Sequence, residues 1–304
     1  MTNPLPWPGA HRVALERGPL SVTVLPGLGG AIARFRLRGI DVLRPAPDKA
    51  IEEKLVRQMA SYPLVPFSNR IVNSRLRFDG RDFELTPNFP PEPHAIHGVG
   101  WQREWTVAKQ SASELTLKFQ HDPDAQWPFH FAAVQELKLT ADALTVSLEL
   151  SNTGTRPMPA GLGFHPFFPR SEATTFETSW TGVWMMSDAK VPIAHRAIPP
   201  EADFSKSRAL GTWRVDNCFT GWSRKASLGY PTHRTEITAT AGLNHCVTFI
   251  PADGRPFIAV EPVSHIVDAF NFAAQGMKDT GMRVLKPGES WTESMTIRVL
   301  ENRS

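Results

Sequence analysis

Cys218 and Cys246 are the only two cysteines in this chain, too few for a disulfide framework. Both sit in apolar contexts, NCF and HCV, and read as free buried thiols. No window approaches eighteen consecutive apolar residues, so no helical membrane span is expected. The opening MTNPLPWPGAHRVALERG has no basic segment leading into an apolar run. It does not read as a secretory leader, and a soluble, cytoplasmic protein is the expectation. An excess of one charge is lacking too: 33 Lys and Arg stand against 30 Asp and Glu, a net charge of +3. The basic residues are scattered, as in RLRFDGRDFE from Arg75, which argues against a nucleic-acid partner. Helical periodicity is scarce. Only Asp48 to Ala60, DKAIEEKLVRQMA, carries it, with Asp48 as candidate cap. The 27 prolines argue against long helices, and Asn88 to Pro93, NFPPEP, reads as a stiff, extended connection. No composition break, repeat or low-complexity tract appears, so residues 1–304 read as one domain.

What the chain does have is a period of two. LSVTVLP from Leu20, ELTLKFQ from Glu114, ALTVSLELSN from Ala143, TEITATA from Thr235 and SMTIRVL from Ser294 alternate apolar with polar residues. GAIARFRLRG from Gly30 is a further strand. TADA, SNTGTRP and PADGRP are turns between them. The expectation is an all-β fold, a large antiparallel β-sandwich with one face of each sheet on the core.

Four polar stretches stand out against this background. In PFSNRIVNSRLRFDG, Asn69 and Arg70 sit among apolar neighbours. Arg70 reads either as a surface arginine or as a planar donor fork for ligand oxygens. In PEPHAIHGVG, His94 and His97 form a His-x-x-His pair. The prolines exclude the helix of a zinc protease motif, and no cysteine lies nearby, so a metal site is disfavoured. His97 followed by Gly98 fits a loop residue presented to a ligand, with the glycine allowing close backbone approach. In GLGFHPFFP, His165 has apolar walls in Phe164, Phe167 and Phe168. These lower an imidazole pKa, and a nearby carboxylate would raise it again, leaving a proton donor poised near neutral pH. On these residues alone a structural role stays equally open. In FIAVEPVSHIVDAFN, Glu261 ends an apolar strand, where a carboxylate is costly unless paired or used. Asp216, in RVDNCF, has a similar frame.

Together, NRI, HG, GxxxHPFF, VDNCF and the late strand-end glutamate resemble, in this order over roughly residues 60 to 275, the aldose 1-epimerase family of galactose-mutarotase-like proteins. The resemblance implies a large antiparallel sandwich and a monosaccharide substrate. It implies that Asn69, Arg70 and His97 bind the sugar and that Asp216 holds its hydroxyls. His165 would protonate the ring oxygen, and Glu261 would take the proton from the anomeric hydroxyl. The two would stand on opposite sides of the C1–O5 region, with room for the ring between them. Neither a cofactor nor a metal is called for. Phe167 stands where the family often has tyrosine, and the segment after Glu261 departs from the galactose-acting branch. Rival readings are a sugar-binding module without catalysis, an epimerase of phosphorylated or sulfonated sugars using Arg70, Arg75 and Arg77, and a metal enzyme using His94, His97, His165 and Glu261.

Overall fold

Alternation of branched apolar residues with small hydroxyl-bearing ones makes ALTVSLELSN a ten-residue strand, Ala143–Asn152. Its Leu144, Val146, Leu148 and Leu150 are buried. The opposite face carries hydroxyls that meet their counterparts on Ser290–Glu301 across the ladder: Thr145 with Thr296 at 2.9 Å, Ser147 with Ser294 at 2.8 Å and Ser151 with Ser290 at 2.7 Å. Such cross-strand pairs pin the register, because a one-residue slip would send every leucine to the wrong face.

This strand is central to a nine-stranded antiparallel sheet in the computed structural model, which describes residues 12–302. The start of the opening stretch read above for a leader lies outside the described residues. A second sheet of eight strands contains Val215–Thr220, His245–Ile250 and Phe257–Val263 as successive neighbours. A four-stranded sheet begins at Val13–Arg17 and includes Leu20–Leu25 and Ala31–Leu37. Each strand expected from alternation is present, within a few residues of its expected bounds. The fold is all-β and antiparallel, as expected. Among the described residues, no helix is long and apolar enough to cross a membrane.

Two local expectations are corrected. The helix expected over Asp48 to Ala60 is a single α-helical turn and a half, Asp48–Glu52, followed by the 3-10 turn Val56–Gln58. Lys54 between them adopts φ +55°, a left-handed conformation that ends a helix. The NFPPEP segment turns instead of extending: the Glu92 amide donates to the Phe89 carbonyl at 3.0 Å. The short helix Ala269–Ala274 carried no helical signal that separated it from the preceding strand run.

Candidate active site

The strand FIAVEPV, Phe257–Val263, is buried along its whole length, so its one carboxylate, Glu261, has no route to bulk water except through a cavity. The GLGFHPFFP segment pairs with that strand twice. Gly163 is opposite Val263, and Phe167 is opposite Ala259. Interpolating that antiparallel register puts His165 opposite Glu261, at the point where Pro166 interrupts the ladder. Cross-strand neighbours on one face stand about 5 Å apart at Cβ. The imidazole Nε2 accordingly lies 3.3 Å from Glu261 Oε1, with side-chain exposures of 9% and 3%. This corrects one expectation. The two groups do not stand on opposite sides of a sugar ring; they share one wall, side by side.

That wall belongs to a cavity of about 840 Å³. All six residues named from the sequence line it: Asn69, Arg70, His97, His165, Asp216 and Glu261. Asp216 reaches it from Val215–Thr220, where it is opposite Phe249, another cavity residue. Asn69, Arg70 and His97 arrive through a small two-stranded ladder in which Arg70 is opposite Ile96. The Asn69 amide donates to His97 Nδ1 at 3.0 Å, and the His97 amide donates to the Asn69 carbonyl at 2.8 Å. Accepting at Nδ1 leaves the proton of a neutral His97 on Nε2, available to donate. Burial and the nearby Arg70 push the His97 pKa down to about 3, so the ring stays neutral at ordinary pH.

The glycines flanking these residues answer to packing more than to a ligand. A Cβ on Gly98, at φ +69°, would lie 2.2 Å from the Val65 carbonyl oxygen. A Cβ on Gly161 would lie 2.1 Å from the His265 ring. His265 is held in place, accepting from the Ser68 amide at 3.0 Å and bonding the Ile266 carbonyl at 2.7 Å. Asp268 likewise accepts from the Val72 amide at 3.0 Å. The segment after Glu261 is therefore the support on which the Asn69–Arg70 segment rests.

Burial dominates the electrostatics of the central pair. It pushes the Glu261 carboxyl well above the carboxylate range, and the Asp216 charge adds to this. It pushes the His165 imidazole well below its ordinary value, with His97 and Arg44 adding to this. The carboxylate expected to restore His165 to near neutrality is present, yet desolvation of both partners outweighs it. His165 Nδ1 and Glu261 Oε2 are buried and have no protein partner, which leaves two polar atoms at the pair for a ligand to satisfy.

Several cavity residues carried no signal in the sequence. Glu92 grips Arg70 with two bonds, from Nε at 2.7 Å and Nη2 at 2.9 Å, while Arg70 Nη1 donates to Asn69 Oδ1 at 3.2 Å. Arg70 is thus a fork already engaged on one side. Lys190 pairs with Asp216 at 2.9 Å. The Tyr62 ring packs 4.7 Å from His165, and Phe167, expected as an apolar wall, stacks on His165 at 4.4 Å. Residues named only for rival readings lie outside the cavity lining. Arg75 and Arg77 lie on an exposed hairpin, paired with Glu84 and Asp82, away from the cavity lining. His94 does not join His97 as a second ligand: its Nδ1 accepts from the Asn73 amide, and its Nε2 lies 3.2 Å from the Ala189 carbonyl. Cys218 and Cys246 are free and buried, as expected.

Comparison with known proteins identifies the family and the fold. The family described as aldose 1-epimerase matches residues 11–298. The uncharacterized protein YphB of Escherichia coli K12 is 31% identical over 294 residues, covering 94% of this chain and 97% of its own length. A crystal structure of a candidate aldose 1-epimerase from E. coli K12 superposes with a TM-score of 0.87 at 30% identity, covering 97% of this chain and 100% of its own. A galactose mutarotase-like protein from Clostridium acetobutylicum superposes with a TM-score of 0.85 at 17% identity, covering 98% of each chain, and so shares the fold.

Proposed function

This chain belongs to the aldose 1-epimerase family, and from that membership we propose that it is a mutarotase interconverting the α and β anomers of an aldose. The observation that carries this reading is the His165–Glu261 pair, 3.3 Å apart in the wall of a cavity with room for a monosaccharide. A hemiacetal presents O1 and O5 on one carbon. Two proton-transfer groups that act on them must therefore be neighbours, and a cross-strand pair on one sheet face meets that need.

Burial disfavours charge on either partner, so in the free protein the shared proton rests on the carboxyl. Moving it across the pair gives carboxylate and imidazolium with no net uptake or release. Glu261 then accepts the O1 proton as the C1=O1 double bond forms. His165 donates its proton to O5 as the C1–O5 bond breaks. Rotation about C1–C2 presents the other aldehyde face. The reverse transfers close the ring and return both groups to their starting state. His97 Nε2–H and the remaining Arg70 Nη1 proton are donors for hydroxyls, and the Asp216 carboxylate is an acceptor. The steep cost of charge in this site is also what makes the transfers effective, since neither group is solvated by competing water.

A positioned acid or base contributes about 10² to 10⁴ in rate. Glu261→Gln and His165→Asn are each expected to lose at least that much in anomer exchange, followed by polarimetry or NMR on fresh α-anomers, with sugar binding still measurable. A wild-type rate in either variant removes that residue from its role. Sugar binding by the wild type without faster anomer exchange would instead describe a sugar-binding module.

A further inference from the structure

The cavity wall carries more positive charge than a neutral sugar calls for. Five basic side chains line it: Arg44, Arg57, Arg70, Lys190 and Arg255. Glu92, Asp216 and Asp253 pair with Arg70, Lys190 and Arg255 respectively. Among the described residues, Arg44 and Arg57 have no carboxylate within ion-pair distance.

Arg44 is the more telling of the two. It is largely buried, and the burial of a guanidinium without a counter-charge is expensive. Of its five N–H donors, one is bonded, Nη2 to the Met59 carbonyl at 2.8 Å, and buried Nε has no partner. Its guanidinium carbon lies 4.1 Å from the Phe167 centroid and 4.6 Å from that of Phe257. Aromatic faces offset part of the desolvation but do not neutralise the charge. Arg255 lies 5.1 Å from the same Phe257 centroid. Two guanidinium groups thus lie against one ring. Burial, with Arg255 adding to it, lowers the Arg44 pKa to about 10, so Arg44 stays charged at neutral pH. An anion beside Arg44 would satisfy its free donors and supply the missing counter-charge.

The place of this charge along the cavity matters as well. Phe167 stacks on His165 at 4.4 Å and carries Arg44 against the same ring. Both contacts are made to one ring, so the guanidinium and the imidazole stand close enough to meet the two ends of a single monosaccharide.

We propose that Arg44, flanked by Arg255 and with Arg57 at the rim, binds an anionic substituent carried by the aldose at the carbon farthest from C1. This rests on the mutarotase reading and names its substrate class: a sugar phosphate or a hexuronic acid. The arginines involved are not those that the sequence suggested, Arg75 and Arg77.

The test compares glucose, glucose 6-phosphate and glucuronic acid as substrates of the wild type, Arg44→Gln and Arg44→Lys. Anomer exchange is measured by NMR and corrected for each sugar's uncatalysed rate. The quantity read is the ratio of kcat/KM for an anionic sugar to that for glucose. The expected ratio is about tenfold or more in the wild type, falls about tenfold or more in Arg44→Gln, and is partly kept in Arg44→Lys. Preference for the phosphate or for the uronate identifies which anion is taken. A wild-type ratio near one overturns the assignment and leaves the mutarotase reading intact. Equal losses for all three sugars in both variants make Arg44 a structural tie and also overturn it. No acceleration of any of the three overturns the mutarotase reading itself and this proposal with it.

Discussion

Glu92→Gln probes the part of the site that local sequence signals did not show. Glu92 holds Arg70 by two charge-assisted bonds of 2.7 and 2.9 Å, with Arg70 14% and Glu92 26% exposed. A glutamine of the same shape can accept one of these bonds, but its amide nitrogen faces the second N–H donor, so one bond and the charge pairing are lost. A hydrogen bond to a charged group contributes about 1.5–3 kcal/mol. Partial exposure to water reduces this to about 1–2 kcal/mol. If Glu92 serves to aim Arg70 at the sugar, the loss appears as a KM raised about 5- to 30-fold. The kcat of anomer exchange should stay within about twofold, because Arg70 touches neither proton in flight. Thermal unfolding run in parallel separates aim from stability: a global cost of the same size would lower Tm by a few degrees. An unchanged KM, or a loss confined to kcat, refutes the idea that the ion pair positions Arg70 for binding.

Two other predictions concern stability. Gly161→Ala puts a Cβ 2.1 Å from a His265 ring that is held by bonds of 3.0 and 2.7 Å. Overpacking of about 1–3 kcal/mol should lower Tm by several degrees, and an unchanged Tm would show that the ring yields freely. The second is a loss of stability on acidification. Burial lowers the pKa of His97 to about 3 and those of His245 and His265 to about 4. Below about pH 6.5 the unfolded chain binds protons that the folded one refuses, so each histidine costs up to about 1.4 kcal/mol per pH unit. Asp268 opposes them: its carboxyl is raised to about 6 by burial, so the folded state takes up that proton first, between about pH 6 and 4. Burial also lowers His121, His165 and His233 and raises Glu261, so six histidines stand against two carboxyls and leave a net loss, seen as a lower urea midpoint at pH 5 than at pH 7. Equal midpoints would refute it.

The strands were legible because one face of each is dry. Leu144, Val146, Leu148 and Leu150 had to alternate with Thr145, Ser147, Glu149 and Ser151 for both faces to be satisfied, and that alternation is visible in one dimension. The helical spacing at Asp48 overstates the helix because it continues past Lys54 while the helical backbone does not. Glu92 was hidden for a similar reason. Nothing adjacent to it in the chain distinguishes a carboxylate that folds back on Arg70 from one that faces water, and the proline-rich segment around it read as straight.

The residue types needed for sugar chemistry, and their order along the chain, were present in the sequence by itself, as was the all-β character. Short-range patterns suffice for these because burial periodicity and residue chemistry are local properties. Pairing was decided by the tertiary structure. His165 and Glu261 meet because Gly163 and Phe167 set the register against Val263 and Ala259. The same fold gathered Arg44, Arg57 and Arg255 from separate loops around one cavity. Which side chains become neighbours depends on strand register and on desolvation, and both arise only when distant segments share a sheet.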